Sequence, residues 1–116
     1  MRPLRRRVFI FDESVFAGRQ YSKALAHEPG CPMRVAARAL GRGVVKFQLQ
    51  GSQDKVNWSV LGDWQAPGPG IAVFSEIRSS DSWLRACAWT DFDHIAADFA
   101  LEEFPSEERK ERQDGR

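Results

Sequence analysis

The densest set of side chains that could bind a metal ion or transfer a proton lies in the segment "TDFDHI" at residues 90–95. Asp91, Asp93 and His94 fall within four consecutive positions of this segment. A hard cation takes about six to eight oxygen ligands, and two carboxylates beside one histidine supply too few of them. Because such residues are also common in turns between strands, the sequence predicts a solvated turn and no metal site.

The other histidine and the two cysteines do not form a catalytic pattern. His27 adjoins Glu28 and Pro29 in a segment typical of a loop, and the sequence contains no Gly-rich phosphate loop and no nucleophile elbow. Cys31 and Cys87 match no metal-ligand spacing, so two buried free thiols and a single disulfide are both open alternatives. The sequence therefore predicts a protein that is not an enzyme, with no catalytic residues and no cofactor.

Composition and charge exclude several classes of partner. The chain of 116 residues carries 17 basic and 16 acidic side chains, so its net charge of +1 provides no overall field for nucleic acid or anionic lipid. The N-terminal basic run is followed by a short apolar run, Val8 to Phe11, that ends at Asp12, well short of a signal peptide. No apolar segment approaches membrane-spanning length. We expect a protein made in a cytoplasm, without a membrane partner and with no preference for nucleic acid.

Strand patterns recur along the chain and end at Gly or Pro residues, whereas helix patterns do not recur. In the clearest of them, Val45, Phe47 and Leu49 alternate with polar residues, so that one face of the strand is apolar. Similar runs lie at residues 8–11, 20–26, 33–40, 58–64, 71–77, 83–90 and 95–101. Seven or eight short strands joined by turns such as the loop over residues 66–70 predict an all-β fold, an antiparallel sandwich or barrel.

The two ends of the chain carry charge and lack a strand pattern. A basic arm over residues 1–7 contains Arg2, Arg5, Arg6 and Arg7. The segment 105–116 has mixed charge and no apolar face, so it is predicted to be a disordered tail. A single β-sandwich domain is predicted between them, over residues 8–104. We expect the arm to dock onto an acidic neighbour in an assembly.

The hairpin over residues 44–64 resembles a known pattern. Its first strand ends in "QGS" at residues 50–52, Asp54 lies in the turn, and the chain continues as "NWS" at residues 57–59. This resembles the GS-x-DG-x-x-W hairpin of bacteriophage virion β-sandwich proteins, a pattern related to discoidin-like galactose-binding domains. The "WLRA" segment at residues 83–86 is similar to a later strand of the same pattern. The resemblance implies a sandwich of jelly-roll or galactose-binding-like type with flexible charged termini.

One position departs from that pattern. Lys55 stands where the family has glycine, which suits a left-handed backbone in a hairpin turn. A lysine in that conformation costs on the order of 1 kcal/mol. We therefore expect either a different turn or a strained residue that the surrounding contacts hold in place.

The strand over residues 83–90 has two alternative core faces. The resemblance implies that Trp83, Arg85 and Trp89 point outward, as a contact surface for a protein partner or a glycan. The small residues between them would then pack against side chains expected from the opposite sheet: Phe47, Leu49 and Trp58. As a core aromatic, Trp58 would cost about 3 kcal/mol when replaced by alanine. The other alternative buries both tryptophans and leaves Arg85 reaching the sheet edge.

Two functions follow from the resemblance. The first is a non-enzymatic structural protein of a phage-like particle, which decorates or cements the capsid or serves as a tail accessory. Its place would be the virion, assembled in a bacterial host cytoplasm, and its partners would be capsid or tail proteins and copies of itself. The second is a carbohydrate-binding module that uses the outward tryptophans to bind a surface glycan.

Overall fold

Apolar and polar side chains alternate along the strands of this protein, as expected where one face of a strand is buried and the other faces solvent. The computed structural model describes residues 5–11, 15, 18–91 and 95–104. Within these ranges all regular elements are strands, and no helix is present that could span a membrane. The strands are β1 (Arg5–Ile10), β2 (Gln20–Tyr21), β3 (Leu25–Ala26), β4 (Pro32–Ala39), β5 (Gly43–Ser52), β6 (Ser59–Gly68), β7 (Ala72–Arg78), β8 (Trp83–Thr90) and β9 (Ala97–Glu103).

The strands form two antiparallel sheets, which confirms the predicted β-sandwich. The first sheet has the order β1-β9-β4-β7, and the second has the order β2-β8-β5-β6. The short strand β3 pairs with the same edge of β8 as β2 does. The predicted strand over residues 20–26 is therefore one interrupted edge strand, which is why nine strands are found where seven or eight were predicted.

The core lies between the two sheets and is centred on Phe99 of β9. Its ring stacks on Phe47 of β5 with 5.4 Å between ring centroids, and the rings of Phe9 and Trp64 each lie 5.6 Å away. Phe99 and Phe47 are both fully buried. Because these four rings come from both sheets, they join the two layers through one aromatic cluster.

Two expectations about the core are wrong. Phe47 and Leu49 are core residues, but they lie on β5, beside β8 in the same sheet and not across from it. Trp58 is not in the core: its ring lies under the guanidinium of Arg85 on the outer face of the second sheet. The core aromatic of the returning strand is instead Trp64, which pairs with Phe47.

A β-bulge explains the misplacement of Trp58. Trp58 and Trp64 are an even number of residues apart, so a regular strand would put both on one face. The β5–β6 register shifts between Leu49 and Gln50, which leaves one extra residue on β6. One extra residue inverts the alternation beyond it. Trp58, before the bulge, therefore lies on the outer face of the sheet, and Trp64, after it, faces the core.

The predicted loop over residues 66–70 is mostly strand. Ala66 is fully buried, and Pro67 pairs with Val44 in the β5–β6 ladder. An edge strand such as β6 tolerates proline because one of its sides has no ladder partner. A Cβ at Gly68 would collide with the carbonyl oxygen of Gly41, so the close approach there requires glycine.

Candidate binding surface

Strand β8 places its two sets of side chains on opposite faces of the second sheet. Its core side carries three fully buried residues, Leu84, Ala86 and Ala88. Trp83, Arg85 and Trp89 are half-buried on the other side, which is the outer face of the sheet. Of the two alternatives for this strand, the structure has the one in which both tryptophans point outward.

Arg85 is held in the middle of this outer face by two aromatic rings and an amide. Its guanidinium carbon lies 4.2 Å from the ring centroid of Tyr21 and 4.3 Å from that of Trp58. Its Nε donates a hydrogen bond of 2.7 Å to the Oε1 atom of Gln50. Each cation–π contact stabilises the arrangement by about 0.5–1 kcal/mol. The arginine therefore presents its charge in a defined orientation.

Each tryptophan at the ends of β8 also contacts a cation from a neighbouring segment. The Nζ atom of Lys55 lies 4.2 Å from the ring centroid of Trp83, and the guanidinium carbon of Arg19 lies 4.2 Å from that of Trp89. The two tryptophans are six residues apart, which corresponds to about 20 Å along a strand. We call Tyr21, Trp58, Trp83, Arg85 and Trp89 together the aromatic face.

A shallow groove of about 370 Å³ lies at the Trp89 end of the aromatic face. Its polar lining comes from β5 and β6 and consists of Lys46, Gln48, Asp63 and Gln65. The Oε1 atom of Gln48 accepts hydrogen bonds from Arg19 Nη1 at 3.3 Å and from Gln50 Nε2 at 3.1 Å. The groove thus combines the indole ring of Trp89 with amide and carboxylate groups, an arrangement that can stack on an apolar surface and bind hydroxyl groups.

The hairpin turn that positions Lys55 and Trp58 is built by side-chain hydrogen bonds to the backbone. The Oγ atom of Ser52 accepts from the N–H of Lys55 at 2.9 Å, and Asp54 Oδ1 accepts from the N–H groups of Val56 and Asn57 at 2.9 Å each. The N–H groups of Asn57 and Val56 hold the pKa of Asp54 well below its ordinary value. The motif residues Ser52 and Asp54 therefore have a structural role in this turn.

Lys55 has the left-handed backbone conformation expected at the glycine position of the pattern, with φ of 65°. We predict that Lys55→Gly has a stability equal to or slightly above that of the wild type. Glycine relieves about 1 kcal/mol of backbone strain, and this offsets the lost contact with Trp83, which is worth about 0.5–1 kcal/mol. Urea unfolding monitored by tryptophan fluorescence measures the difference.

Lys55→Ala is the matched control because it loses the contact with Trp83 and keeps the strained Cβ. It is expected to be less stable than the wild type by about 0.5–1 kcal/mol. A Lys55→Gly variant as unstable as Lys55→Ala would contradict the strain argument.

Both cysteines are buried free thiols. Cys31 Sγ donates to the carbonyl oxygen of Phe104 at 3.0 Å. Cys87 lies on β8 opposite Tyr21, and burial raises the pKa of its thiol against the lowering effect of Arg19. A buried thiol of raised pKa is a poor nucleophile. Because both thiols are free, the structure has the first of the two alternatives left open by the sequence and not the disulfide.

Sequence reasoning missed a buried polar cluster at the end of the first sheet. His27 follows β3 in a loop, as expected, but its side chain is fully buried, with Nδ1 2.6 Å from Glu103 Oε2 and Nε2 3.2 Å from the carbonyl oxygen of Ser79. Arg7 Nε donates to Glu103 Oε1 at 2.8 Å. The three charged or polar partners are far apart in sequence, and no local pattern indicates their contact.

The predicted basic arm is partly a strand. Strand β1, which pairs with β9, contains Arg5, Arg6 and Arg7. Arg7 forms the ion pair with Glu103 described above. The side chain of Arg6 is exposed. Arg2 lies outside the described residues, as does the predicted tail over residues 105–116. The role of these arginines in assembly stays a prediction.

The acidic segment after β8 is described only at its first residue. Asp91 is exposed, and its Oδ2 atom lies 3.6 Å from Lys46 Nζ. Asp93 and His94 lie outside the described residues. In the part of the chain that the structure describes, no group of three or more His, Cys, Asp or Glu side chains could hold a metal ion.

Comparison with known proteins shows similarity in structure and none in sequence. No protein-family model matches the chain, and no curated protein does. The resemblance of the hairpin to the virion pattern therefore has no sequence match behind it.

Three solved structures illustrate the similarity in fold. A chain of the disulfide-linked pili of Bacillus endospore appendages has a TM-score of 0.57 and 10% identity, over 90% of this chain and 89% of that chain. The SPBc2 prophage-derived protein YomS has a TM-score of 0.57 and 4% identity, over 88% and 96%. A chitosan-binding module from a chitosanase/glucanase of Paenibacillus sp. IK-5 has a TM-score of 0.52 and 14% identity, over 81% and 74%. The chain thus shares its β-sandwich fold with a prophage-derived protein, an appendage protein and a sugar-binding module.

Proposed function

We propose that this protein is a non-enzymatic structural component of a phage-like particle, which decorates or cements the capsid or serves as a tail accessory. The observation that carries the proposal is the aromatic face, a row of rings and one arginine on the outside of the second sheet. Its partners are other virion proteins, and its place is the virion, assembled in the cytoplasm of a bacterial host. The similarity in fold to a prophage-derived protein over nearly the whole of both chains supports the proposal.

The aromatic face suits a protein partner because its side chains are already held in place. Trp, Tyr and Arg are the residues that contribute most to protein interfaces, often more than 1 kcal/mol each. Arg85 is fixed between Tyr21 and Trp58, so little side-chain freedom is left to lose on binding.

The test replaces the tryptophans at the two ends of the face. We expect the double variant Trp83→Ser/Trp89→Ser to lose its retention on phage-like particles purified from the producing bacterium, while circular dichroism still shows a folded β protein. The expected loss is at least tenfold, since two interface anchors are removed. Retention is measured as the protein that sediments with particles in a density gradient.

Ile71→Ser is the matched control for this test. Ile71 is 60% exposed and precedes β7, away from the aromatic face. This variant should be retained like the wild type. A wild-type protein that does not sediment with particles, or a folded double variant that is retained equally well, would overturn the proposal.

The groove beside Trp89 favours a second candidate function, the binding of a surface glycan. An indole ring stacks on the apolar face of a sugar, and the side chains of Gln48 and Asp63 can bind its hydroxyl groups. The similarity in fold to a chitosan-binding module is consistent with this candidate. If it is correct, the wild type is retained on a chitosan or cellulose column, and Gln48→Ala and Trp89→Ser are not. Retention on particles without retention on these columns would favour the structural role.

A further inference from the structure

The outer face of the first sheet carries an apolar row that runs across all four strands. Val8 on β1 pairs with Ala100 on β9, Ala100 pairs with Ala36 on β4, and Ala36 pairs with Phe74 on β7. Directly paired residues share a face, so these four side chains form one row on the outside of the sheet. The residues at its two ends are the exposed ones, with Val8 47% and Phe74 64% exposed.

Charged residues of alternating sign flank the apolar row on one side. The row beside it reads Arg6, Glu102, Arg34 and Glu76 from β1 to β7. Its central pair is an ion pair, with Arg34 Nη2 2.8 Å from Glu102 Oε1. On the other side of the apolar row, Asp98 of β9 and Arg38 of β4 form a second ion pair, at 2.6 Å.

This charge pattern is antisymmetric about the middle of the sheet. If the sheet is reflected across the line between β9 and β4, β1 falls on the position of β7 and β9 falls on the position of β4. Each positive charge then falls on the position of a negative charge. Arg6 exchanges with Glu76, Glu102 with Arg34, and Asp98 with Arg38. The same reflection exchanges Val8 with Phe74 within the apolar row.

We propose that this face pairs with the same face of a second copy, about a two-fold axis that runs parallel to the strands between β4 and β9. Rotation about this axis turns the second copy over, so that its β1 lies opposite β7 of the first copy and its β9 lies opposite β4. Every charged residue of the rows then meets an opposite charge, and Val8 meets Phe74 of the second copy. A two-fold interface requires such self-complementarity.

The small area of the face limits the affinity of the pairing. Four strands at about 4.8 Å spacing and about six residues at 3.3 Å rise make a face of roughly 19 by 20 Å, or about 400 Å² per copy. Counted over both copies this is about 800 Å², below the roughly 1,200–2,000 Å² of stable specific interfaces, so the dimer is weak and forms at high local concentration. The pairing goes beyond the proposed function, because it uses the sheet opposite the aromatic face and leaves that face free.

Sedimentation equilibrium of the full chain, from about 10 μM to about 1 mM, measures the pairing. The wild type is expected to pass from monomer to dimer over this range. Phe74→Ser should weaken dimerisation at least about tenfold, since it removes both apolar contacts at the ends of the row. The control Val56→Ser changes another exposed apolar residue, in the β5–β6 hairpin and 76% exposed, and should dimerise like the wild type.

A charge exchange tests the axis independently of the apolar row. Arg6→Glu and Glu76→Arg should each weaken dimerisation by about tenfold, because each sets like charges against each other twice. The double variant Arg6→Glu/Glu76→Arg should dimerise like the wild type. Within one copy the two positions are three strand spacings apart, about 14 Å, which exceeds the screening length of about 8 Å at physiological salt. Rescue therefore reports a contact between two copies.

Three results would overturn the proposal. They are a wild type that stays monomeric at 1 mM, a Phe74→Ser variant that dimerises as well as Val56→Ser, and a double charge variant that fails to recover. Melting curves of each variant at low concentration check that the monomer is folded, and the charge exchange remains decisive if Phe74→Ser proves unstable.

Discussion

Phe99→Ala is expected to lower the free energy of unfolding by about 4 kcal/mol. The ring of Phe99 is fully buried and contacts the rings of Phe9, Phe47 and Trp64, which come from both sheets. Its removal loses the transfer free energy of the ring and leaves a cavity at the point where the two layers meet. A loss of this size is a large part of the roughly 5–15 kcal/mol that stabilises a typical domain.

Phe74→Ala is the matched control because it removes the same side chain from the surface. Phe74 is 64% exposed, so the change should cost less than about 1 kcal/mol at protein concentrations where the chain is monomeric. Urea titration at low concentration gives both values. Equal costs for the two phenylalanines would contradict the placement of the core.

Glu103→Gln is expected to have the second largest effect, a loss of about 3 kcal/mol at pH 7. Glu103 is 1% exposed, and its carboxylate forms hydrogen bonds with both His27 and Arg7. Burial alone would raise the pKa of Glu103, but the hydrogen bonds from His27 and Arg7 outweigh it, and the pKa lies below its ordinary value of 4.5. Glutamine leaves these two partners without the negative charge that they share.

The lowered pKa of Glu103 also predicts how stability changes with pH. The unfolded chain binds a proton at this residue more readily than the folded chain does, so the contribution of Glu103 is fully present above about pH 4.5 and is lost as the pH falls through the folded value. Glu103→Gln should remove this part of the acid dependence. Unfolding titrations between pH 3 and pH 7 measure the slope for both proteins.

The adjacent residue provides the control for the second prediction. Glu102 lies on the opposite face of β9 and forms a partly exposed ion pair with Arg34. Such surface pairs contribute about 0–1 kcal/mol, so Glu102→Gln should have a small effect at pH 7. A Glu103→Gln variant with the stability of Glu102→Gln would show that the buried cluster does not stabilise the fold.

Local patterns in the sequence predict the strands well because alternation is a property of a few neighbouring residues. The runs over residues 44–50 and 83–90 fall within β5 and β8. The left-handed backbone at Lys55 is one of the two alternatives that the glycine position of the hairpin pattern left open, and the structure has that one. The hairpin motif did not predict the position of Trp58, because a bulge further along the ladder inverts the alternation.

The contacts between distant parts of the chain were not predictable. Glu103 is 96 residues from Arg7 and 76 from His27, and only the pairing of β1 with β9 and the path of the β3–β4 loop bring them together. The groove beside Trp89 depends in the same way on β5 lying between β6 and β8. Strand order is a property of the whole chain, so no short pattern indicates it.

The sequence by itself determined that this chain forms short antiparallel strands with one apolar face each, and that the side chains of β8 divide into a small set and an aromatic set. Only the tertiary structure decided which set is buried, which rings stack on Arg85, and which charges alternate across the first sheet. The physical reason is that alternation along a strand follows from backbone geometry, whereas the neighbours of a strand follow from how two complete sheets bury their apolar faces against each other.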